Sequence, residues 1–168
     1  MEYRVVYSVR KTISIGVDEN GVFVRAPLAT DRETIDRLLK KYSAWIEKSL
    51  ATMEKKKELH RERTPEEVVM LKKSARTYLT EKTEYYANIM GLKYGRITIT
   101  SAKKRFGSCS TKGNISYSYR LMLYPEAARE YVVVHELAHL VEMNHSKKFY
   151  QVIERVLPDY KNRKRLLK

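Results

Sequence analysis

The stretch VVVHELAHLVEMNHSKKF, residues 132–149, holds three of the chain's four histidines. His135 and His139 are four apart, so on a helix they stand one turn above each other, about 40° apart in azimuth and about 6 Å along the axis. Two imidazoles so placed reach one ion. Zinc prefers nitrogen and sulfur donors, and a catalytic zinc takes three protein ligands and keeps a fourth position for water. Glu136 lies next to the first histidine, about 100° round the helix, where its carboxylate can act as general base on that water. An HExxH pentad arises by chance in about one chain in a hundred of this composition, before a third histidine or a helical setting is required. A site therefore outweighs a packing accident.

The third ligand falls to His145, six residues after His139. On an uninterrupted helix it would point roughly 120° away from the second histidine, so the helix has to stop. Asn144, which tolerates a left-handed conformation, is the expected break. Ser146 is placed to cap a new helix beginning at KKFYQVIERVL. The three histidines have metzincin spacing, HExxHxxGxxH, but Glu142 stands at the glycine position and no methionine follows Met143, so no downstream Met-turn exists. Glu142 reads either as a carboxylate orienting a ligand imidazole or as a solvated residue near a helix end. His60 lies in a charged stretch and reads as a surface residue.

Around this helix the chain reads as α+β. Residues 5–17 alternate as strand, Asn20-Gly21 marks a tight hairpin turn, and VFVRA returns, giving a small antiparallel sheet. Thr30 with Glu33 reads as a capping box opening one long helix through Ile35, Leu39, Tyr42, Ile46 and Met53. A second helix opens at TPEE, residues 64–67, with Thr64 as cap and Pro65 in the first turn, and ends at Gly91. RITIT (96–100) and NISYSY (114–119) alternate as strands, and SAKKRFGSCSTKG between them reads as loop. Pro125 opens the histidine helix, apolar on most of its circumference and so expected inside the fold. The expected organisation is residues 1–60 as hairpin plus helix and 61–168 as the hydrolase core, or both as one compact unit.

Composition limits the rest. At 168 residues with 43% hydrophobic content a real core is affordable. No segment nears the ~18 apolar residues of a membrane span, no secretory signal is visible, and the single cysteine, Cys109, excludes an internal disulfide. A cytoplasmic protein with no membrane partner is expected. The net charge of +14, with clusters at 55–57, 103–105 and 161–168, attracts phosphates and acidic surfaces over about 10 Å. It reads either as a solvated face or as a nucleic-acid surface, although no nucleic-acid motif is present.

Three stretches, RFGSCSTKGNISYSYRLMLYP (105–125), VVVHELAHLVEMNHSKKFY (132–150) and LPDYKNRKRLL (157–167), resemble the YgjP-like metallopeptidases, which are related to the WLM and SprT-like proteases. RKTISIGV (10–17), GVFVRAPLAT (21–30) and AWIEK (44–48) extend the resemblance over nearly the whole chain. Phe106 replaces the tryptophan of the family's usual RWGSC. The resemblance implies Zn2+ at His135, His139 and His145, Glu136 as base, and a zincin-type core of sheet and active-site helix; a peptide or protein substrate is the expectation that goes with a peptidase reading. Arg105 stands where it can stabilise a developing oxyanion, or it pairs with a carboxylate beside a simple turn. Tyr160 is a further candidate for the oxyanion role if the carboxyl-terminal segment folds back over the cleft. Cys109 as a fourth ligand would close the site. The expected function is a zinc-dependent peptidase. Its alternatives are a nucleic-acid-associated metalloprotease of SprT-like type and an inactive zinc-binding module.

Overall fold

The structure, a computed structural model, describes residues 2–167. It is α+β, and the chain divides between Glu62 and Arg63 into two compact units.

The first unit pairs β1 (Tyr3–Ser8), β2 (Ser14–Asp18) and β3 (Gly21–Pro27) with β3 in the centre. The sheet is mixed rather than antiparallel: β2 and β3 form the hairpin, but β1 runs parallel to β3. The alternating segment breaks at residues 9–13, where Val9 is almost fully exposed, which turns one expected strand into two. In the hairpin the positive φ falls on Gly21 alone, at 100°, with Glu19 and Asn20 as the loop. Val22, Val24 and Ala26 point inward from β3 onto Ile35, Leu39 and Ile46, as a period of two requires.

The expected long helix is two helices, α1 (Arg32–Lys41) and α2 (Ser43–His60), meeting at Tyr42, whose φ −103° and ψ 15° interrupt the ladder. Its cap is Asp31 rather than Thr30. The Asp31 carboxylate accepts the Thr34 amide at 2.6 Å, and a charged acceptor at the positive end of a helix outcompetes the preceding hydroxyl.

The second unit opens with α3 (Pro65–Met90), whose capping box joins Thr64 and Glu67 and whose end is the left-handed Gly91 at φ 64°, as the sequence predicts. Its sheet has the order β4 (Ile97–Thr100), β6 (Ile115–Ser118), β5 (Gly107–Cys109), with β4 parallel and β5 antiparallel to β6. β5 lies in the stretch expected to be loop. Gly, Ser and Cys carry little strand preference, and pairing with β6 makes the strand, fastened by Ser108 Oγ and Ser116 Oγ at 2.7 Å.

The histidine helix α4 (Glu126–Ala138) packs against α3, β5, α5 (Lys147–Val156) and α6 (Tyr160–Arg165). Val133, Val134, Leu137 and Ala138 are fully buried. A half-buried charge network holds α6 and α3 to α4. Glu130 accepts from Lys82 Nζ at 2.8 Å and from Arg163 Nη1 at 2.6 Å, and Asp159 accepts from Arg163 Nε at 2.8 Å. Burial works against the Glu130 charge, but the hydrogen bonds from Lys82 and Arg163 prevail and hold its pKa below the usual range. No described helix is long and apolar enough to cross a membrane.

Candidate metal centre

α4 carries His135 and Glu136 in its last turn and ends at Ala138, with His139 as its cap in helical conformation at φ −65° and ψ −19°. The helix therefore stops well before Asn144. The amides of Leu140 and Val141 bond back three residues, to Leu137 and Ala138, tightening the last turn as helix ends commonly do. Asn144 does not adopt a left-handed conformation, since no described non-glycine residue has positive φ. The reversal is made by short-range bonds: the Asn144 amide donates to Glu142 Oε1 at 3.4 Å, and the Ser146 amide donates to the Asn144 carbonyl at 2.7 Å. Glu142 thus braces the turn. Ser146 then caps α5 by accepting the Phe149 amide.

The result brings the three histidines together. Ring centroids are 5.0 Å apart for His135–His139, 5.0 Å for His135–His145 and 4.8 Å for His139–His145. One nitrogen from each lies within 4.8 Å of the others. Among the described residues these three alone form a cluster of metal-binding type. Nε2 of His145 and Nε2 of His135 face each other at 3.1 Å, close to the roughly 3.3 Å edge of a tetrahedron with bonds of 2.0–2.1 Å. Phe149, fully buried, is the floor on which the triad stands, 4.9, 4.6 and 4.7 Å from the rings of His135, His139 and His145.

Electrostatics favour the neutral form of His135 and His139. Burial, followed by repulsion from His139, His145 and Lys164, lowers the His135 pKa to about 3. His139 is lowered as well, by burial first and then by His145, and its Nδ1 is buried without a well-formed hydrogen bond. Neutral imidazoles present the lone pairs a divalent ion requires. The donor set therefore fits zinc. On the outer side of His135, Nδ1 shares a hydrogen bond of 3.4 Å with the Tyr131 hydroxyl, a contact that fixes ring orientation.

Glu136 is 5% exposed, and burial raises its pKa to about 8 against the opposing field of Arg105. Strand β5 covers it closely. A Cβ on Gly107 would lie 2.5 Å from Glu136 Oε1 and 2.7 Å from Cγ, so only glycine leaves room for the carboxylate. Arg105 is exposed two residues before Gly107. Tyr160 is 8% exposed and stacks on Tyr150 at 5.9 Å, and Tyr150 stacks on His145 at 6.4 Å. Cys109 is half-buried at the far end of β5, and its thiol donates to the Ser110 carbonyl. It is outside the histidine cluster. His60 is exposed in the first unit.

Several contributors have no signature in the sequence. Phe149 reads there as one apolar residue of an amphipathic helix, and Tyr131 as a core residue four before His135. The spacing i, i+4 is the one hint that Tyr131 could touch that ring. The bond from Glu130 to Lys82 and Arg163 joins residues far apart in the chain and has no local signal.

A helix bearing two histidines and a glutamate, a third histidine returned by a tight turn, and a small sheet over the glutamate together define the class of the metallopeptidases. The model of the YgjP-like metallopeptidase domain matches residues 11–72 and 68–168, and the chain belongs to that family. Among solved structures it is similar to the metallopeptidase zymogen abylysin of Pyrococcus abyssi, with 26% identity over 52% of this chain and 89% of that one and a TM-score of 0.48. No curated protein matches the chain.

Proposed function

We propose that the protein is a zinc-dependent peptidase in which His135, His139 and His145 hold the ion and Glu136 is the general base. The observation that carries this reading is the convergence of three imidazoles beside a single buried carboxylate. A divalent ion held by such donors supplies Lewis acidity, acidifying water and polarising a carbonyl.

The chain's own groups do the rest. Burial makes the Glu136 carboxylate a stronger base than an exposed one, and the positive charge of a bound divalent ion would favour its ionised form, in which it can take a proton from the attacking water near neutral pH. The same oxygen then returns that proton to the nitrogen of the leaving amine. Gly107 holds the carboxylate in one position from above. Arg105 and Tyr160 are the groups proposed to stabilise the oxyanion. Arg105 does so through fixed charge, and Tyr160 lies in the aromatic stack behind His145. Tyr131 orients His135.

Glu136→Gln tests the reading. Removing a general base lowers turnover about 10²–10⁴-fold, while the three donors and hence the zinc content stay unchanged. Cleavage by that variant at the wild-type rate would remove Glu136 from the role.

A further inference from the structure

Two exposed cations reach the metal centre from different elements. α6 packs on α4, joined to it by Arg163 and Glu130, and from it Lys164 Nζ sits 5.4 Å from the centre of the Tyr150 ring, which itself stacks on His145. β5 covers the Glu136 side, and Arg105 stands two residues before the glycine that touches that carboxylate, no more than about 7 Å of extended backbone away. Its charge acts on Glu136.

Neither cation is neutralised. Among the described residues neither Lys164 nor Arg105 forms an ion pair, whereas the nearby carboxylates are committed elsewhere. Glu130 bonds Lys82 and Arg163, Asp159 bonds Arg163, and Glu142 accepts the Asn144 amide. Glu154 on α5 lies about 140° round that helix from Phe149, off the face beneath the histidines. Glu136 is buried and occupied with the reaction. A peptide approaching the histidines therefore meets two cations that no carboxylate pairs, with the Glu142 carboxylate in the turn between His139 and His145 as an acidic group on the same rim, its charge left in place by its bond to an amide. Charge complementarity of this kind sets which partner is accepted more than how tightly it binds.

We propose that the centre selects peptide segments carrying carboxylate side chains beside the bond to be cleaved, with Lys164 and Arg105 as the specificity-determining residues. The inference rests on the peptidase reading above. Lys164 meets carboxylates on the His145 side of the bond and Arg105 those on the Glu136 side, so an acidic residue on either side gains and a basic one loses.

The test uses the full-length, zinc-loaded protein and quenched fluorogenic peptides of one length whose flanking residues are Asp and Glu, Ser and Gln, or Lys. The acidic peptide is expected to exceed the basic one in kcat/KM by at least about tenfold, with the difference compressed by molar salt. Lys164→Glu is expected to lower the acidic-to-basic ratio about tenfold, mainly through KM, and Arg105→Glu to lower that ratio about as much together with a loss of kcat common to all three peptides. Equal cleavage of all three peptides, or ratios unchanged in both variants, overturns the proposal. So does a ratio left intact in Arg105→Glu beside that uniform loss of kcat, which would confine Arg105 to the oxyanion.

Binding of the same peptides to zinc-loaded Glu136→Gln, followed by fluorescence anisotropy, gives a readout free of turnover. If the wild type cleaves no peptide, the peptidase reading fails. Tighter binding of the acidic peptide that is lost in Lys164→Glu still supports the charge preference, and equal binding rejects it. Equal binding of all peptides beside salt-sensitive binding of a single-stranded oligonucleotide, lost in Lys164→Glu, would assign these cations to nucleic acid and overturn the proposal.

Discussion

Replacing Gly107 by alanine isolates the position of the base from its chemistry. The new Cβ would lie 2.5 Å from Glu136 Oε1, 2.7 Å from Cγ and 2.8 Å from Cδ, whereas ordinary contact begins near 3.4 Å. The carboxylate therefore has to withdraw by roughly 0.6–0.9 Å, or β5 has to lift from α4 against its register of Gly107 with Tyr117 and Cys109 with Ile115. Glu136 is buried with little room to retreat, so the side chain changes rotamer. A misplacement of about 1 Å costs on the order of a hundredfold in rate, and overpacking costs about 1–3 kcal/mol of stability. None of the three histidines is touched, so zinc affinity should hold. Turnover is measured on the zinc-loaded variant, with metal content by elemental analysis and folding by circular dichroism, and Ser108→Ala serves as a neighbouring control. A Gly107→Ala protein that is folded, fully loaded and as fast as the wild type would refute the placement of Glu136 under β5 as the catalytic arrangement.

Two further outcomes follow from the electrostatics. In the metal-free protein the folded state keeps Glu136 protonated up to about 8, against an ordinary value of 4.5. Stability is therefore lost as pH rises from 4.5 through 8, by about 1.4 kcal/mol per unit in mid-range. Glu136→Gln avoids that loss, so urea unfolding in the presence of a chelator should show its advantage over wild type growing by about 2.5 kcal/mol between pH 5 and pH 7; an advantage independent of pH contradicts the burial argument. Tyr131→Phe removes the outer partner of His135 Nδ1 and should weaken zinc binding about tenfold in competition with a chelating dye. Unchanged affinity would reduce Tyr131 to a packing residue.

Much of the site was legible because it depends on local spacing. The separation of His135 and His139, the glutamate between them, the cap at Ser146 and the box at Thr64 and Glu67 are all relations within four residues, where helix geometry dictates the answer. The errors lay where longer-range contacts decide. Gly107, Ser108 and Cys109 carry no strand signal, and pairing with β6 alone makes them a strand. The parallel placement of β1 depends on where the chain returns after Val9, which alternation does not encode. The end of α4 was placed too late because Asn144 offered a familiar stop, whereas the helix closes at His139 through three-residue bonds that any sequence can make. Tertiary packing also supplied the Phe149 floor, the Gly107 roof over Glu136 and the Glu130 network.

Anomalous diffraction at the zinc edge, from crystals grown in zinc, examines the metal centre itself. One strong peak is expected, bonded at about 2.0–2.1 Å to a ring nitrogen of each of His135, His139 and His145, with the remaining position free of protein ligands. A peak elsewhere, a His145 ring turned from the ion, or Cys109 Sγ bound as a fourth ligand would contradict a hydrolytic centre.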